Sequence, residues 1–102
     1  MQTQQINKIK GLVNISNKAG YVIIGADNLK KYNKKLYLIL YSNDSGKTIQ
    51  KVVTNKKTLT NCETIEIDAQ EFSKIVSIDN CKIVGFKNLG LSKEIIKVIR
   101  GE

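Results

Sequence analysis

Tyr21-Val22-Ile23-Ile24-Gly25-Ala26-Asp27-Asn28-Leu29-Lys30-Lys31 joins two kinds of pattern in one short stretch. Tyr21–Ile24 is aromatic and β-branched, the composition of a buried strand. Gly25 breaks that run, and the small and short polar side chains of Ala26, Asp27 and Asn28 lead into Leu29 and a lysine pair. The order predicts a strand over Tyr21–Ile24, a sharp turn at Gly25 and a short helix over Ala26–Tyr32. A strand feeding directly into a helix is one unit of an alternating α/β chain.

The neighbouring segments continue the alternation. Upstream, Ile6, Ile9, Leu12, Val13, Ile15 and Ala19 fall close to helical spacing and Gly20 supplies a stop, which predicts a helix from about Gln4 to Ala19. Downstream, Asn33-Lys34-Lys35 is a polar turn. Leu36-Tyr37-Leu38-Ile39-Leu40-Tyr41 is the most apolar run in the chain and reads as a central strand covered on both faces. Ser42-Asn43-Asp44-Ser45 offers N-caps for a helix through Thr48, Ile49, Val52 and Val53, with Lys56–Asn61 read as a loop. Thr64–Ile67 is a strand. Asp68 stands three residues before Glu71 as the cap of a helix carrying Phe72, Ile75 and Val76. Asp79-Asn80 turns into a last strand, Cys81–Phe86, and a helix over Leu91–Ile99 follows. The expected class is α/β: a three-layer α/β/α sandwich, one domain over residues 1–102, with a four-stranded, mostly parallel or mixed sheet.

Composition narrows the functional classes. At 102 residues the chain suits one core. No apolar run has bilayer-spanning length, and Met1-Gln2-Thr3-Gln4-Gln5 lacks the basic-then-apolar layout of a secretory signal, so a cytoplasmic protein without membrane contact is expected. Cys62 and Cys81 have no C-x-x-C spacing and the chain has no histidine, which speaks against a metal site, a redox pair or a histidine-activated nucleophile. Sixteen of the seventeen basic residues are lysine, and their placement is uneven. Residues 1–57 carry eleven lysines against Asp27 and Asp44 alone, a balance of +9, while residues 58–102 come to −1. Codon bias raises lysine everywhere but does not move acids into one half. A one-sided basic surface facing a polyanion accounts for the asymmetry.

Two motifs invite chemistry. Ser45-Gly46-Lys47-Thr48 matches the end of a phosphate-binding loop, but Tyr41 stands where the first glycine of that loop is needed, so nucleotide hydrolysis is not expected. The Gly25 turn is different. A helix start presents unpaired N–H groups, Asp27 and Asn28 can hydrogen-bond outward, and Lys30, Lys31, Lys34 and Lys35 follow within six positions. Such a surface suits a sugar–phosphate backbone better than an apolar ligand. With a single arginine, bidentate guanine reading is disfavoured, so phosphate and shape contacts should dominate.

At these residues the chain resembles the kink-turn RNA-binding ribosomal protein family (the L-seven-Ae and L-thirty-e group), especially its short bacterial YlxQ-type members. The likeness runs through Gly11-Leu12, Asn17-Lys18-Ala19-Gly20, Gly25-Ala26-Asp27-Asn28-Leu29-Lys30-Lys31, Lys35–Leu40 and Asn43-Asp44-Ser45, then the last strand and helix. The resemblance implies an α/β/α sandwich that grips a sharply bent RNA internal loop, with no catalysis and no cofactor. It places close backbone approach at Gly25 and Ala26, and phosphate contact at Lys31. The family's guanine-reading asparagine and glutamate fall on Asp27 and Asn28, and its apolar contact loop falls around Ile67-Asp68-Ala69. The partner so implied is RNA, ribosomal or otherwise structured, met by a monomer on or off the ribosome. Because one acid and one amide replace the family pair in reverse order, a protein-interaction module on the same sandwich is the alternative.

Overall fold

A computed structural model describes residues Met1–Glu102 and contains nine elements: α1 (Thr3–Lys18), β1 (Val22–Ile24), α2 (Ala26–Lys31), β2 (Leu38–Ser42), α3 (Lys47–Thr60), β3 (Glu63–Ile67), α4 (Ala69–Ile75), β4 (Ile83–Phe86) and α5 (Leu89–Ile99). The strands form one sheet in the order β1-β4-β2-β3. β4 is antiparallel to both β1 and β2, whereas β2 and β3 are parallel. The three other strands therefore point one way. Their C-terminal ends, with the N-terminal end of β4, share one edge of the sheet.

Alternation of side chains on the two central strands divides the core. Leu38 and Leu40 of β2, with Val84 and Phe86 of β4, face Ile6, Ile9 and Val13 of α1, Phe72 and Ile75 of α4, and Ile95 and Val98 of α5. On the opposite face, Ile39 and Ile83 meet Leu29 of α2 and Val52 and Val53 of α3, joined by Leu36 and Cys62. The protein is a three-layer α/β/α sandwich with a mixed sheet, three helices on one face and two on the other. No helix is long and apolar enough to cross a membrane.

The two-helix layer depends on one glycine. A Cβ at Gly85, on β4, would lie 2.6 Å from Leu29 Cδ2 and 3.4 Å from Leu36 Cδ2. Leu29 is fully buried and has little room to retreat. The bare backbone there is what lets α2 settle onto the sheet.

Two sequence expectations give way to packing. The expected loop at Lys56–Asn61 is helical to Thr60, because α3 continues for one more turn over the sheet edge. Lys56 is buried, its aliphatic stem completing the inner stripe of Val52 and Val53 while its amine reaches the Tyr32 carbonyl. The expected side-chain caps at Ser42–Ser45 do not act on α3, whose N-cap is Gly46 without a side-chain hydrogen bond. Ser42 and Asp44 bond to one another instead, and the Asn43 side chain accepts from the Ala69 amide at 3.0 Å, serving the start of α4. Asp68 caps α4 as its sequence suggests, accepting from the amides of Gln70 and Glu71.

Candidate functional site

Gly25 turns the chain from β1 into α2 with φ 86° and ψ 157°. That combination lies in a region occupied essentially by glycine alone. A Cβ there would meet nothing within 4 Å, so the requirement is conformational and the space around the corner is open. The corner is fastened from three sides. The Gly25 amide donates to the Ile83 carbonyl at 3.0 Å, the Leu29 amide donates to the Gly25 carbonyl at 3.1 Å, and Asn28 Nδ2 donates back to the Ile24 carbonyl at 2.8 Å. Asn28 Oδ1 and the exposed Asp27 carboxylate are left facing outward as acceptors. Asp27 does not cap α2, which has no side-chain cap.

The corner sits on the sheet edge where four connections converge. The Ser42 amide donates to the Lys82 carbonyl at 2.9 Å, and the Asn43 amide to the Ile67 carbonyl at 2.8 Å. Lys82 Nζ lies 2.7 Å from Asp44 Oδ2, tying the turn after β2 to the approach to β4. The Lys82 amine and the Ser42 hydroxyl hold the Asp44 carboxyl below the usual aspartate range. Beside the corner, burial pushes the Cys81 thiol up, so it stands neutral at pH 7. Neither cysteine is in a disulfide, and no group of three His, Cys, Asp or Glu side chains is arranged to hold a metal ion.

The predicted site residues separate into three sets. Gly25, Ala26, Asp27 and Asn28 form the corner. Lys30, Lys34 and Lys35 gather along a groove between α2, the turn after it and α3, whereas Lys31 lines neither cavity of that groove. Ile67 is not a surface contact at all. Its side chain is 3% exposed and belongs to the larger core, because alternation along β3 turns it inward beneath α4. The apolar contact expected there is thus removed from the candidate site, and the residues tied to the edge ahead of β4 are Cys81 and Lys82.

Sequence reading placed a helix through Thr48–Val53 but gave it no part in the site. Residues 26–60, spanning the whole two-helix layer, contain eight lysines against Asp27 and Asp44. None of those eight is in an ion pair, since the pairs formed are Met1–Glu71, Lys82–Asp44 and Arg100–Glu63. One signal was available: Ile49, Val52, Val53 and Lys56 keep helical spacing, so the helix had a reason to continue.

Neither the protein-family models nor the curated proteins give a match to this chain. Among solved structures, a protein with unknown function from Bacillus halodurans C has 19% sequence identity, covering 91% of this chain and 97% of its own, with a TM-score of 0.75. That similarity concerns the architecture.

Proposed function

We propose that this chain is a non-enzymatic RNA-binding protein of ribosomal type that takes a kinked RNA element at the Gly25 corner. The observation that carries the proposal is the corner itself. It is open, held in a glycine-only conformation, and placed where the positively charged α2–α3 layer meets the sheet edge. Gly25 and Ala26 keep the backbone bare for close approach. Asn28 Oδ1 and the Asp27 carboxylate accept from base amino groups, and Lys30 and Lys31 take the flanking phosphates. The lack of histidine fits a binding role rather than acid–base or nucleophilic catalysis.

Charge reversal at Lys30 and Lys31 tests the assignment. Both side chains are exposed. The Lys30→Glu/Lys31→Glu variant should lose about tenfold or more in affinity for a kink-turn RNA, with a thermal midpoint close to that of the wild type. Unchanged affinity would refute the assignment, and loss of folding would make the segment structural. The exposed Asp27 carboxylate favours one second reading, a protein-interaction module on the same fold, because an acid in the corner repels phosphate. Absence of binding to any RNA would move the balance to that reading.

A further inference from the structure

The groove between α2 and α3 lies beyond the corner and has a construction of its own. Two adjoining cavities, of about 420 and about 600 Å³, share Lys30, Lys56 and Leu59 in their linings and so run together as one trough. Lys51 and Asn55 line one end, and Lys34 and Lys35 the other. Five lysines border the trough and no acidic residue does.

Its floor contains an unusual group. Lys56 is 7% exposed, and its amine donates to the Tyr32 carbonyl at the C-terminal end of α2, with no carboxylate paired to it. A buried cation without a counter-ion is costly, and an anion entering the trough would supply one. An ammonium has three donors, of which this bond uses one. The walls are fixed in advance. Lys35 donates to the Thr60 carbonyl, so two lysine–carbonyl bonds hold the turn after α2 against α3. Binding therefore costs little ordering of that turn. Leu59, 76% exposed, gives the rim an apolar surface suited to a base or a ribose.

We infer that the α2–α3 groove is a second RNA track, which takes an unpaired strand with its phosphates on Lys30, Lys51 and Lys56. The inference deepens the reading of the chain as an RNA binder, adding a strand that needs no kink. A trough between two adjacent helices is too narrow for a duplex and admits one strand. Lysines on both walls match the positively charged groove that tracks the backbone of a single strand, and Leu59 adds apolar contact beside it.

The test uses an oligouridylate of about twelve nucleotides, a length matched to single-strand sites and unable to form a kink. Added to isotope-labelled protein, it should shift the amide resonances of Lys51, Asn55 and Leu59 more than those of Gly25–Asn28. The Lys51→Glu variant should bind it about three- to tenfold more weakly, with a log–log salt slope shallower by about 0.7 or more. The same variant should keep its affinity for a blunt-ended kink-turn RNA within about twofold. No response to the oligouridylate, or shifts confined to the corner, would overturn the inference while leaving the corner proposal standing. Groove shifts with no preference for kinked RNA would leave the groove and remove the corner. An equal response to a polyglutamate peptide of similar length would overturn the RNA track in favour of an acidic protein segment.

Discussion

Gly25 and Asp44 show how single residues set up the candidate site. Gly25 adopts a backbone conformation that side chains exclude, while the space beyond its Cα is empty. Gly25→Ala should therefore destabilise the fold by about 1–3 kcal/mol through strain alone. Each kcal/mol lowers the midpoint of a domain this size by about 4–8 °C. Thermal denaturation followed by circular dichroism measures this, and an unchanged midpoint would show that the corner is not strained. At Asp44, the bonds from Lys82 and Ser42 depress the folded-state pKa. The folded protein then binds fewer protons than the unfolded chain in the acidic range. The associated stability is present above the ordinary aspartate pKa and disappears as pH falls through the folded value. Wild type should exceed Asp44→Asn in stability at neutral pH by a small, salt-sensitive margin, and the two should converge in acid. A margin that persisted below the aspartate range would assign the effect to packing. The Gly25 turn was legible because a glycine after a β-branched run has few other uses. The Asn28-to-Ile24 bond was not legible, since an amide beside a turn can equally face solvent.

At the scale of elements, α2 is a short helix with one fully buried anchor, Leu29, seated over Gly85. Gly85→Ala should cost about 1–3 kcal/mol and, by lifting α2, weaken the proposed RNA binding as well. Leu29→Ala added to Gly85→Ala should be less damaging than the two separate effects summed, because the smaller side chain makes room. Strict additivity in denaturant titration would contradict the contact. The same elements show where sequence reading reached and where it stopped. Strands and helices placed by strong periodicity agree within a residue or two, as for α1, expected over Gln4–Ala19 and found over Thr3–Lys18. The end of α3 was missed because Lys56 reads as a surface residue, although its stem packs inward and its amine finds a carbonyl across the groove. Ile67 was rightly read as the end of a strand, but the resemblance also gave it a contact role, and only sheet register shows that it faces the core.

For the molecule as a whole, residues 26–60, with eight lysines against Asp27 and Asp44, supply one helix layer of the sandwich, while Lys8, Lys10 and Lys18 of the same basic half lie on α1 in the other. The sheet separates α2 and α3 from α1, α4 and α5, so that block of lysines is gathered onto one face. That gathering needs the two crossovers through α2 and α3 to lie on the same side of the sheet, and it could not be read from charge counts alone. It places the corner at the margin of a positive field, which under the proposed function would draw in a bent RNA backbone and let the glycine turn meet the bend. The most direct measurement compares the affinity for a kink-turn RNA with that for a straight duplex of matched length and composition, in one buffer at one salt concentration. Recognition of the bend predicts at least about tenfold tighter binding of the kinked RNA, or 1.4 kcal/mol. Equal affinity for both would reduce the surface to a general attraction for phosphate and contradict the account.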